Sequence, residues 1–174
     1  LRSAKLEELP GSYKELKAIY DLFQGRYFSG KEAKLSNFIK SVETNEHKII
    51  HLAIHGIGNA NSIGEARLFF RPEEVIESKD ILTISDIRAM NLSDQMIILS
   101  ACQSNTGALE KGEGIYSIAR EFILAGGSSS ISTLWKVDDQ TTFLIMEEFY
   151  KALSKGVEPS EALSKAQNQL STSE

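Results

Sequence analysis

At 174 residues with a net charge of −5 and a pI near 5.3, the chain is the size of one globular domain and lacks the basic excess that nucleic-acid binders show. Hydrophobic residues make up 41% and charged ones 25%, an ordinary globular balance, and no apolar run approaches the roughly 20 residues of a membrane span. The single cysteine cannot close an internal disulfide, so a reducing cytoplasm is the default, and Lys5, Glu7 and Glu8 interrupt the start so that no signal peptide is visible.

Leu1 to Gly11 reads as irregular and closes on the turn signal Pro10-Gly11. Ser12 is placed to cap a helix, with Glu15 completing a capping box, and Leu16, Ile19, Tyr20 and Phe23 give that helix one apolar face. Gly25 stops it. Arg26-Tyr27-Phe28 reads as a short strand, and a second helix from about Lys31 to Val42 is apolar at Leu35, Phe38, Ile39 and Val42. Lys48 to Ile54 is the first strong strand, ending in His55-Gly56 and opening into a loop of Gly58, Asn59, Asn61, Ser62 and Gly64.

Ala66 to Phe70 reads as a β excursion turned by Arg71-Pro72, and Thr83 to Asn91 as a short helix capped by Thr83 with Asp86 at the reciprocal position. Met96-Ile97-Ile98-Leu99 is too brief for a helix and reads as a strand buried on both faces, the kind found inside a parallel sheet. The residues then turn small, Cys102 follows, and a loop rich in Ser, Asn, Gly and charge leads to a helix from Gly114 to Ala125, ended by Gly126-Gly127. Ser128 to Trp135 is a third strand. Asp138 or Asp139 then caps a long helix with the stripe Phe143, Met146, Phe149, Tyr150 and Leu153, and a last helix runs from Pro159 to about Leu170. Strands alternating with helices predict an α/β fold, a mostly parallel sheet covered on both faces in three layers, α/β/α.

In open α/β sheets chemistry collects beyond the carboxyl ends of the strands. Both His55 and Cys102 fall there, an imidazole and a thiol at one sheet edge; if their strands are neighbours, the strands lie about 5 Å apart, close enough for the side chains to face each other across a substrate. A histidine raises the reactive thiolate fraction and protonates a leaving amine. Backbone N–H groups after His55 and Cys102 are candidate oxyanion donors, and Gly56, without a Cβ, lets substrate approach the backbone. Against this stands the other reading of a lone cysteine, a small core hydrophobe. His47, His51 and His55 recur every four residues, but on a strand that spacing gathers no metal face, so no metal is expected. The glycines at 107, 112 and 114 do not form a phosphate loop, and no cofactor is expected.

These residues resemble a known family. His51-Leu-Ala-Ile-His55-Gly56, Ile98-Leu-Ser-Ala-Cys102, Gly112-Glu-Gly114, Ala119-Arg-Glu-Phe-Ile-Leu-Ala-Gly-Gly127 and Ser132-Thr-Leu-Trp135-Lys-Val-Asp-Asp139 are similar to the CHAT domain. Phe149-Tyr150, Glu161-Ala-Leu163 and Ala166-Gln167 close the match. CHAT is a caspase-like cysteine peptidase family related to separase and the caspase–gingipain clan. The resemblance implies a caspase-like fold, a peptidase dyad of His55 and Cys102, and an oxyanion held by the backbone N–H of Gly56 and Cys102.

The chain departs from the family pattern at Gln103, where Glu is common, and in a slightly long loop from Ser104 to Lys111. The family pattern also carries a strand before Leu1 and another after Glu174, so the chain reads as a fragment of a longer protein. A helical-repeat regulatory domain is the expected neighbour, and another copy of the chain is expected on exposed sheet edges.

A similar Trp-x-Val-x-Asp run occurs in separase, which selects a basic residue. By that resemblance Trp135, Asp138 and Asp139 line the substrate pocket, with Asp139 facing an Arg of the substrate and its neighbour capping the helix. The leading expectation is an endopeptidase acting on a protein substrate, with neither nucleic acid nor membrane as partner; the alternative is a non-catalytic CHAT interaction module.

Overall fold

A computed structural model describes residues 10–57, 66–70, 77–100, 113–133 and 139–171, which group into two compact units. One holds every described strand together with three helices; the other is made of three helices.

The first unit is organised on β5 (Met96–Leu99), whose four residues are all buried. It lies between β1 (Ile49–Leu52) and β6 (Ser129–Ser132), and all three strands run parallel. Ile50 pairs with Ile97 and Leu52 with Leu99, which puts these four side chains on one face of the sheet. They join a core with Leu35, Phe38 and Val42 of α2 (Leu35–Glu43) and Ile118, Ala119 and Phe122 of α4 (Glu113–Leu124). Phe38 is the hinge of its aromatic part, with ring centroids 5.4 Å from Phe70 and 6.3 Å, edge on, from Phe122. Fully burying each such side chain contributes about 1.5–3 kcal/mol.

Between β1 and β5 the chain builds a second sheet from β2 (His55–Ile57), β3 (Arg67–Phe69) and β4 (Ile81–Thr83), all antiparallel in the order β2-β3-β4. The helix α3 (Ile84–Arg88) follows directly. Its cap is the expected one: the Thr83 hydroxyl accepts from Asp86 N–H at 3.3 Å, and the Asp86 carboxylate accepts from Thr83 N–H at 2.9 Å. Arg88 then ties α3 to α4 by donating two parallel bonds, at 2.7 and 2.8 Å, to the buried carboxylate of Glu121. Those bonds hold the Glu121 carboxyl below its ordinary pKa, against the opposing effect of burial.

The entry to β5 is locked by backbone against backbone. Leu92 N–H donates to Ala125 O at 2.8 Å and Asp94 N–H to Gly126 O at 3.2 Å. Gly126 has φ +106, and a Cβ on it would lie 2.1 Å from the Leu92 carbonyl oxygen, so only glycine fits. Gln95, fully buried, donates from Nε2 to the His47 carbonyl at 3.1 Å and joins the amino ends of β1 and β5.

In the second unit α1 (Pro10–Phe23) packs on α5 (Asp139–Ser154), and α5 on α6 (Pro159–Ser171). Ala162 and Ala166 are fully buried on α6, small residues that permit close helix contact. Tyr150 is buried, with Phe23 5.7 Å away edge on, and burial, followed by the nearby Glu15, pushes its hydroxyl well above the ordinary pKa.

Four local expectations are corrected. α1 begins at Pro10, which suits a first helical position, so Ser12 and Glu15 lie inside the helix and Glu15 is buried. Residues 26–28 are coil. The helix expected from Lys31 splits into a 3-10 turn (Gly30–Glu32) and α2. The strand expected over 48–54 ends at Leu52, bends at Ala53-Ile54 and resumes as β2 in the other sheet.

Candidate active site

The site is set by where two neighbouring parallel strands stop. β1 and β5 stay in register to Leu52 and Leu99, and one further ladder bond runs from Ser100 N–H to Leu52 O at 2.9 Å. Beyond it the chain leaving β1 takes two residues, Ala53 and Ile54, and enters β2 at His55. His55 is therefore the first residue of the antiparallel sheet rather than the last of the parallel one. It remains just past the carboxyl edge, half-buried. Ser100 leaves β5 at the same edge, and Cys102 stands two residues further along the sequence.

The three histidines are spread along this path. His47 precedes β1 at the amino end, where its carbonyl holds Gln95; His51 lies within β1 opposite Ile98; His55 lies beyond the carboxyl end. Their spacing follows an extended chain, and among the described residues no group of three or more His, Cys, Asp or Glu is placed to hold a metal ion.

Gly56 pairs with Leu68, which pairs with Leu82, and all three are buried on the face of the antiparallel sheet that enters the core. Alternation puts His55 and Ile57, Arg67 and Phe69, and Ile81 and Thr83 on the opposite face. Apart from the buried Phe69, these residues are half-buried, so this is the face His55 presents. Arg67 is the residue that sequence reasoning passed over. Its signal was the alternation Ala66, Leu68, Phe70, all buried, which leaves Arg67 on the other side; a three-residue strand hides that pattern until its partners are known.

Of the other expected site residues, Cys102, Trp135 and Asp138 lie outside the described residues, as does the loop from Ser104 to Lys111. Asp139 is the first residue of α5, and its side chain also lies outside the description.

An imidazole held at a strand end, with one face of its sheet anchored in the core, is a group whose position is fixed by two sheets at once. Such a group suits proton transfer, which requires hydrogen-bond distance to the reacting atom. The family model of the CHAT domain matches residues 1–174, the whole chain. No curated protein matches the chain significantly. No helix among the described residues is long and apolar enough to cross a membrane.

Proposed function

Since this chain belongs to the CHAT domain family, a caspase-like domain related to cysteine peptidases, we propose that it is a cysteine endopeptidase with His55 and Cys102 as its dyad. One observation supports the reading: β1 and β5 are adjacent and parallel and end at the same sheet edge, with His55 three residues after the end of β1 and Cys102, in the sequence, three residues after the end of β5.

In the proposed reaction His55 accepts the thiol proton as the Cys102 sulfur attacks the scissile carbonyl. Backbone N–H groups of Gly56 and Cys102 receive the oxyanion of the tetrahedral intermediate. On collapse the C–N bond breaks, and His55 passes its proton to the leaving amine. The thioester left on Cys102 is hydrolysed by a water whose proton His55 takes; the C–S bond breaks and the thiol is restored. The substrate is a protein, and a reducing compartment such as the cytoplasm keeps the thiol available.

The test uses the protein at its natural full length. Cys102→Ala and His55→Ala are each expected to reduce peptide cleavage at least about 10³-fold, since groups acting as one unit fail together. His55 is half-buried at the start of β2, so the unfolding midpoint of His55→Ala should stay close to that of the unaltered protein. Undiminished cleavage by Cys102→Ala would overturn the mechanism and leave the interaction-module reading in its place.

A further inference from the structure

We infer that Arg67 is a specificity-determining residue, its guanidinium receiving a carboxylate of the substrate beside His55; the inference rests on the peptidase reading above.

The placement follows from register. His55 lies opposite Phe69, and Arg67 is two residues along β3 from that position, opposite Ile57. A diagonal pair of this kind in an antiparallel sheet is about 7–8 Å apart on the same face, within reach of a long side chain. The choice of face is fixed. Gly56, Leu68 and Leu82 fill the core side, and a slip of one residue would drive Arg67 into the core and Leu68 out of it. Arg67 thus cannot turn away from the face that His55 occupies.

The chemistry of that face singles out Arg67. Of its six strand residues, two from each strand, Ile57, Phe69 and Ile81 are apolar, and Thr83 is engaged in the cap of α3. Asp86 is committed to Thr83, accepting its N–H at 2.9 Å and its hydroxyl at 2.6 Å. Arg67 has polar interactions of its own. A guanidinium has five N–H donors in a fork that matches a carboxylate, so it can hold one partner and receive a second. The half-buried setting strengthens such a bond relative to one in open water.

The ligand chemistry is a carboxylate, which a peptide supplies from Asp or Glu near the scissile bond or from its own C-terminus. Peptides built on a sequence the enzyme cleaves, differing only as Glu or Gln within two residues of the scissile bond, separate these sources when each is made both amidated and with a free C-terminus. The expected result for the unaltered enzyme is a preference for the carboxylate-bearing peptide of about 10- to 100-fold in kcat/KM, the range of a charge-assisted hydrogen bond. Arg67→Gln should remove that preference, the loss appearing in KM for the carboxylate-bearing peptides. Arg67→Lys, which keeps the charge and loses the fork, should retain part of it. An unaltered enzyme indifferent to carboxylates, or a preference surviving intact in Arg67→Gln, would overturn the inference. Should Arg67→Gln fail to fold, a full preference in Arg67→Lys overturns it and a partial loss supports it. Fluorescence anisotropy with the same peptides on the Cys102→Ala protein reads the Arg67 contribution as binding alone. Cleavage persisting in Cys102→Ala would instead count against the dyad, so the two failures stay distinct.

Discussion

The two sheets differ in what their residues are for. In the parallel sheet, the central strand β5 is buried over its whole length and its neighbours hold it on both sides, so its side chains are packing, while β1 is buried at Ile50 and Leu52 and β6 is half-buried throughout. In the antiparallel sheet, each strand turns one residue, Gly56, Leu68 or Leu82, to the core face, and the other face carries His55, Arg67 and Thr83 half-buried beside the buried Phe69. Only two residues separate the sheets along the chain, yet one is scaffold and the other display. A substitution should therefore cost stability in the first and function in the second.

The sharpest test of that division is Ile97→Ala in β5, expected to cost about 2–5 kcal/mol because a fully buried Ile leaves a cavity. Ile81→Ala, half-buried on the display face of β4, should cost well under half as much. Urea midpoints at unchanged slope measure both, and equal losses would erase the distinction. Gly126→Ala comes next at about 3 kcal/mol, from left-handed strain plus a clash with the Leu92 carbonyl; a variant as stable as the parent would show that the crossing of these two segments is loose.

Smaller again is Glu121→Gln, about 1–2 kcal/mol at neutral pH, since Glu121 is buried but its partner Arg88 is solvent-exposed. The carboxyl is held below its ordinary range when folded, so its contribution is present above the usual carboxylate pKa and is lost as pH falls through the lower folded value. The gap between parent and variant should therefore narrow below about pH 4, and a gap independent of pH would refute the ion-pair account. Thr83→Ala is the mildest change, about 1 kcal/mol for a lost cap. Because Thr83 stands opposite Arg67, kinetics on carboxylate-bearing peptides should change less than with Arg67→Gln.

How much of this was legible in the chain depended on the length of each element. The run Met96–Leu99, the Thr83–Asp86 cap, the Gly126-Gly127 stop and the last two helices all carry local signals that tertiary structure did not override. The adjacency of β1 and β5 has no local signal, because the carboxyl-edge rule for α/β sheets says where chemistry collects and not which strands are neighbours. β2 and β4 were not legible, because three residues are too few to establish a period of two. The break after Leu52 was invisible for a different reason. Ile50, Leu52 and Ile54 point into one core on both sides of the bend, so the apolar pattern runs through it without a fault. The Ser12–Glu15 box matched a motif, but Pro10 starts the helix earlier and tertiary burial claims Glu15.

That unbroken pattern makes the bend at Ala53-Ile54 a keeper of parity. Core positions at 50, 52, 54 and 56 are all even-numbered, and His55 faces the other way because it is odd. One residue inserted in the bend would exchange His55 and Gly56 between the faces, burying the imidazole and presenting bare backbone. Two inserted residues would restore the faces and merely lengthen the path. Length variation between these sheets is thus constrained to even steps, a rule on insertions that no single side chain imposes.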